Sequence, residues 1–145
     1  MKRMLMFCLS LTMFSFAASS QTALATAATT NNSANVIFMR STGFSGSAAA
    51  FTTIIDDQLV CRLNNKRFST HAVPAGDHSF SVQFAGKESK AKAERITIKT
   101  EPGKTYYIQL VFQTGLLVNN ILCQEVTESS ANTILPKLKA DTHCL

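Results

Sequence analysis

Polar and apolar positions alternate with a period of two along much of this chain. The cleanest case is residues 77–85, where Phe80, Val82 and Phe84 face one way and Ser79, Ser81 and Gln83 face the other. A strand with one buried and one solvated face, as in antiparallel sheets, produces that pattern. Residues 105–112 repeat it with Tyr106, Ile108, Leu110 and Phe112 on one face, and residues 93–100 place Ile96 and Ile98 inward. Shorter runs rich in β-branched and aromatic residues predict strands at 36–40, 50–55, 59–63, 67–73 and 119–126. Leu59, Cys61 and Leu63 share parity, which makes Cys61 a small core residue.

Turn chemistry separates these runs. Asp56-Asp57 and Asn64-Asn65 favour tight turns through their own side-chain hydrogen bonds. In Pro74-Ala75-Gly76-Asp77 proline fixes φ and glycine accepts the positive φ that follows, and Glu101-Pro102-Gly103-Lys104 and Thr114-Gly115 mark two more turns. Residues 41–47 read as a loop carrying an exposed Phe44. Seven or eight short strands with no helix between them predict an all-β, antiparallel β-sandwich, with a closed barrel as the alternative. After the last strand, Ser129 or Ser130 is placed to cap a short helix with Ala131, Leu135 and Leu138 on one face. Pro136 opposes a regular helix, so it either lies in the first turn or kinks the helix. This helix is expected to pack on an edge or open face of the sandwich.

The N-terminus follows different rules. Lys2 and Arg3 precede an apolar run over residues 4–18, and Ala23-Leu24-Ala25 supplies the small-x-small pattern of a signal-peptidase site. Residues 1–25 therefore read as a signal peptide, 26–33 as a small, polar N-terminal tether, and 34–145 as a single domain. The apolar run is too short for a comfortable membrane span, so no stable membrane insertion is expected after cleavage. Removing the leader takes away Lys2 and Arg3, and the formal net charge falls from +5 to +3. That mild basicity, with no aromatics interleaved in the basic segment, gives nucleic acid no support as a partner.

Several phrases in fixed order resemble a family of small exported bacterial domains, the domain of unknown function 2846. Val36-Ile37-Phe38-Met39-Arg40 is followed by a small-residue loop and Ala48-Ala49-Ala50-Phe51. Ile55-Asp56-Asp57, then Val73-Pro74-Ala75-Gly76-Asp77-His78, then Pro102-Gly103-Lys104-Thr105-Tyr106-Tyr107-Ile108 complete the series. The two Pro/Gly turns that each launch a strand are also similar to PEGA-type surface modules, which implies an Ig-like or PEGA-like sandwich. The resemblance carries no activity, cofactor or catalytic residue to transfer. Many such domains are lipid-anchored, and here bulky Phe7 precedes Cys8 in place of the small residue that lipoprotein processing requires. Pro136 is a second departure, at the place of a regular terminal helix.

Candidate chemistry is sparse. His78 follows a turn and shares parity with Phe80 and Val82, so its ring is expected to tuck under the turn and bond a backbone carbonyl. His71 shares parity with Ser69 and Val73, and His143 lies at the terminus. No H-x-E, H-E-x-x-H or C-x-x-C spacing occurs, so no metal or other cofactor is predicted. Gly43-Phe44-Ser45-Gly46 lacks the spacing of a nucleophile elbow, and Asp56-Asp57 is better explained as a turn than as an acid–base pair. No catalytic residue is assigned and the chain reads as a non-enzyme. An oxidising compartment permits one disulfide among the three cysteines outside the leader. Cys123 with Cys144 is the expected pair, because a C-terminal segment folding back along the last strand bridges the 20 intervening residues, leaving Cys61 reduced and buried.

Two surface features remain. Lys87, Lys90, Lys92 and Arg95 concentrate positive charge on one presumed hairpin, where lysines also discourage edge-to-edge pairing. They are the candidate partner-binding residues. Leu116-Leu117-Val118 is either a buried strand start or a docking patch. The sequence thus reads as a non-enzymatic exported module, periplasmic or extracellular, that binds or supports an envelope protein or anionic envelope polymer. The alternative is a small carrier holding an apolar ligand. N-terminal sequencing and intact mass of the exported protein are expected to give Thr26 as the first residue with no lipid, and a diacylglycerol-modified cysteine contradicts this.

Overall fold

The computed structural model describes residues 32–43, 47–84, 87–88, 95–114, 119–141 and 144. The predicted leader, most of the tether, Phe44, Lys90, Lys92, the Leu116-Leu117-Val118 segment and His143 lie outside them. The chain runs β1 (Ser33–Arg40), β2 (Phe51–Ile55), β3 (Gln58–Leu63), β4 (Arg67–Pro74), β5 (Gly76–Phe84), β6 (Lys87–Glu88), β7 (Ile96–Thr100), β8 (Thr105–Thr114), β9 (Asn119–Val126), helix α1 (Glu128–Ile134), a 3-10 turn (Leu135–Lys137) and β10 (Lys139–Ala140).

These strands build two facing sheets. The first has the order β10-β4-β1-β8-β9. The second has the order β3-β2-β5-β6, with β7 also pairing β5. The result is the expected β-sandwich. Most pairings are antiparallel, but β1 runs parallel to β8 and β10 parallel to β4. The chain leaves the first sheet twice between β1 and β8, returning once as antiparallel β4 and then as β8 alongside β1, whereas β10 reaches β4 through α1 without entering the other sheet.

The core follows the predicted parity. Val36 and Phe38 of β1, Ile108 and Leu110 of β8, and Phe51, Phe80 and Val82 of the other sheet are all at or near zero exposure. Phe38 meets Phe80 edge-on across the layers, with ring centroids 6.1 Å apart. One strand departs from strict alternation. A bulge between Thr53 and Ile54 shifts the β2–β3 register, so Ile54 pairs Leu59 while Thr53 pairs Cys61. The extra residue, Val60, reverses the parity before it. Leu59 is accordingly 37% exposed while Cys61 and Leu63 are buried.

The outer face of the first sheet is covered by the C-terminal segment. Ala131, Ile134, Leu135 and Leu138 pack on Met39, Phe68 and Tyr107. Thr127, rather than Ser129 or Ser130, caps α1, and its Oγ1 accepts the Ser130 N–H at 3.3 Å. Pro136 is accommodated by a change of helix type, since it sits at the start of the 3-10 turn, where its missing N–H has no partner to lose.

This crossing corrects the disulfide. Cys144 pairs with Cys61, and Cys123 is free and buried. The segment does not fold back along β9. It crosses the sheet and emerges as β10 at the opposite edge, four strand spacings or about 19 Å away. Asp141 then donates its N–H to Phe68 O and accepts from Asn64 N, which brings Cys144 into an antiparallel bridge with Cys61. The bond joins positions 83 residues apart, and loop-closure entropy for such a ring is about 4.5 kcal/mol. Burial pushes the Cys123 thiol up to about 12, so it stays protonated and inert.

Arg40 occupies the last inward position of β1 and is fully buried. Its Nη1 donates to Leu63 O at 2.7 Å and to Ala49 O at 2.8 Å, and its guanidinium lies 3.5 Å from the centroid of the Phe51 ring. Burial lowers its pKa to about 10, which leaves it charged at neutral pH. Replacing Arg40 by Met keeps much of the volume and removes the donors, leaving buried carbonyls without their partner. Arg40→Met is expected to lower unfolding free energy by about 2–4 kcal/mol, read from urea denaturation at pH 7. A change below about 0.5 kcal/mol would show that water serves those carbonyls equally well.

Candidate functional site: a histidine-lined groove beside the disulfide

Two turns meet at one side of the sandwich. Asp56 and Asp57 form the centre of the β2–β3 turn, with φ of +48° and +64°. Two successive left-handed residues suit the twist of a two-residue hairpin, which Asp tolerates better than most residues. The Asp56 carboxylate ties this turn to β5. Its Oδ1 accepts the Ser79 N–H at 2.8 Å, and its Oδ2 lies 2.6 Å from His78 Nδ1.

The second nitrogen of His78, Nε2, lies 2.9 Å from Pro74 O. The ring does tuck under its turn and bond a carbonyl. A carboxylate and a carbonyl only accept, so both nitrogens donate and His78 is a cation in this geometry. The hydrogen bond to Asp56 raises the His78 pKa, against the opposing effect of burial. For Asp56, desolvation pulls upward, but the Ser79 N–H and His78 outweigh it and hold the carboxyl below its ordinary range. With both nitrogens committed, His78 has no lone pair to accept a proton.

An open groove of about 430 Å³ lies between β3 and β4. Gln58 and Val60 form one wall, His71 and Val73 the other, and Asp56 and His78 also line it. It exists because β10 pairs β4 only at Arg67 and Phe68, so the rest of that edge has no strand partner among the described residues. His71 is half-buried, its Nε2 is 3.0 Å from Ser69 Oγ, and its ring meets Phe38 edge-on at 5.9 Å. Burial lowers its pKa, so its ring is neutral at neutral pH.

His71 also adjoins the disulfide. One ligating atom from each of Cys61, His71 and Cys144 lies within 4.8 Å of the others. These side chains come from β3, β4 and the C-terminus, so no spacing motif announces them. Parity placed Cys61 inward and put His71 in one row with Ser69 and Val73, but nothing local showed that Cys144 would join them.

Of the predicted partner-binding residues, Arg95 precedes β7 and pairs with Asp57. Lys87 belongs to β6, which pairs with the end of β5, and Lys90 and Lys92 lie outside the described residues. Asp57 thus links the end of that basic segment to the groove's turn.

The His78–Asp56 link has a defined pH window. His78 has its folded pKa raised above 6.5, so its contribution is complete below 6.5 and disappears as pH rises through the folded value. Asp56 has its folded pKa lowered below 3.8, so its contribution is complete above 3.8 and disappears as pH falls through the folded value. The stability difference between wild type and His78→Gln is expected to peak near pH 5–6, at about 1 kcal/mol because Asp56 is half exposed, and to shrink by pH 9. Urea midpoints across this range measure it, and a flat difference shows that His78 is neutral.

Comparison with known proteins adds a family but no activity. The family model described as protein of unknown function, DUF2846, matches residues 30–122. An uncharacterised protein of Haemophilus influenzae is 28% identical over 95 residues, which cover 66% of this chain and 54% of that protein. The chain therefore spans about half the length of that relative. No solved structure matches. The matched span carries Arg40, Asp56, Cys61, His71 and His78 and ends before Cys123 and Cys144. The chain belongs to the DUF2846 family of proteins of unknown function.

Proposed function

We propose that this chain is a non-enzymatic exported module, periplasmic or extracellular, that binds another component of the cell envelope. One observation carries the reading. The space between the sheets is occupied by fully buried side chains, including Phe38, Phe51, Phe80, Leu63, Ile108 and Leu110. A ligand therefore has the exterior to use, and one concavity there is the groove between β3 and β4. The same packing weighs against a carrier that holds its ligand between the layers, though not against one that holds it under the C-terminal segment.

Export is supported by the leader pattern and is compatible with the Cys61–Cys144 disulfide. No helix among the described residues is long and apolar enough to cross a membrane. Both His78 nitrogens are committed, to Asp56 and to Pro74 O, which supports a structural role for that residue over a catalytic one. The basic segment around Lys87, Lys90, Lys92 and Arg95 is the complementary surface for an anionic partner.

A photo-crosslinking residue at Gln58, in the groove, tests the proposal in intact envelopes. The expected product is one defined envelope protein or polymer. Changing Lys87, Lys90 and Lys92 to Ser, with Arg95 kept for Asp57, is expected to reduce that product severalfold at low salt, and added salt to reduce it in wild type. Native mass spectrometry of the purified protein gives the opposing outcome. A retained apolar small molecule establishes the carrier, and turnover of an envelope substrate overturns the non-enzymatic reading.

A further inference from the structure

We propose that Cys61, Cys144 and His71 form a redox-gated site for a thiophilic d10 cation, Zn2+ or Cu+. The site is closed while the disulfide is intact and opens when a dithiol reduces it. Two sulfurs and an imidazole nitrogen already lie within 4.8 Å of one another. A tetrahedral zinc centre with bonds of about 2.3 Å to sulfur and 2.0 Å to nitrogen spaces such ligands about 3.5–3.8 Å apart. Small side-chain rotations suffice, because the strands bring the donors to that scale.

The framework around the donors suits the task. Cys61 is held in β3 and His71 in β4, which belong to different sheets. Asp141, three residues before Cys144, is held without the disulfide, donating its N–H to Phe68 O and accepting from Asn64 N. Ser69 Oγ, buried, lies 3.0 Å from His71 Nε2 and holds the ring from that side, as outer-shell partners orient ligating histidines. His71 lines the groove, which supplies a path from solvent. Cys123 does not compete, since its thiol is buried on the far edge of the first sheet.

The chemistry balances with one co-reactant. A dithiol attacks the Cys61–Cys144 bond through a mixed disulfide, loses two electrons and two protons, and leaves as its own disulfide. Cys61 and Cys144 gain those electrons and protons as thiols. Cation binding then releases both protons and forms two metal–sulfur bonds and one metal–nitrogen bond. Three protein ligands leave a fourth tetrahedral position for an exogenous donor on Zn2+, or complete a trigonal set on Cu+. The inference stands apart from partner binding, because its readout is metal and not envelope capture.

The test uses the full chain with Cys8→Ser and Cys123→Ala, so that the only thiols are those of the site. Oxidised and phosphine-reduced samples are titrated anaerobically with Zn2+ or with Cu+ against chromophoric chelators, with circular dichroism recorded throughout. The expected result is one equivalent bound per reduced chain and less than a tenth in the oxidised one. His71→Ala is expected to weaken binding at least tenfold while the reduced fold persists, and Cys61→Ser to weaken it further. The chelator competition decides which of the two cations binds more tightly. Equal binding in both redox states, no binding to a folded reduced chain, or unchanged affinity in His71→Ala overturns the proposal. If reduction unfolds the chain, restoration of the fold by the cation supports it and failure to restore the fold overturns it.

Discussion

A full positive charge without water must find acceptors inside the protein, and Arg40 finds them on β3 of the opposite sheet, in the segment leading into β2, and at Thr42 beyond its own strand. It stands at the end of β1, in the inward row that begins with Ala34, Val36 and Phe38. Its bonds to Leu63 O and Ala49 O and its contact with Phe51 require β2 and β3 to lie over β1 at one offset. Non-directional packing of Phe38 on Phe80 tolerates some sliding of the layers, whereas a directed, desolvated guanidinium does not. The outward row of the same strand, with Met39, anchors the C-terminal segment. One strand therefore orders three layers.

The groove follows from how the other edge is closed. β3 and β4 lie at facing edges of different sheets, and the short β10 covers only the beginning of β4. At one part of this seam Asp56 and His78 bind the turns through an exposed ionic link that depends on pH. At another the Cys61–Cys144 bond makes a covalent link that depends on redox state. Between them the backbone edges stay open to solvent. Chemistry-bearing side chains gather here because the seam is the place where strands of both sheets and the chain terminus converge.

Local reading succeeded where the relevant physics is local. Alternation identified the inward faces of β5 and β8, and Pro/Gly chemistry located the turns before β5 and β8. It failed at Leu59, because one inserted residue in β3 reverses parity and a bulge leaves no distinctive residue type behind. The cap of α1 was missed by a few positions, since Thr127, Ser129 and Ser130 all offer a hydroxyl and only backbone geometry selects among them. The His78 turn contact was legible from its position after Gly76, but its partner Asp56 was not, because that contact spans two hairpins.

By itself the sequence determined the all-β character, the turn positions, the inward rows and the leader pattern, all of which depend on residues within a few positions of one another. The tertiary structure alone decided the parallel pairing of β1 with β8, the burial of Arg40 against the opposite sheet, and the choice of Cys61 over Cys123 as the partner of Cys144. The cysteine choice shows the physical reason. Chain separation favours Cys123, because a short ring loses less entropy on closing. Yet the amphipathic α1 has to bury Ala131 against the outer face of the first sheet, and in doing so it carries the chain across four strand spacings to the far edge. Distance in space, set by that packing, overrides distance along the chain.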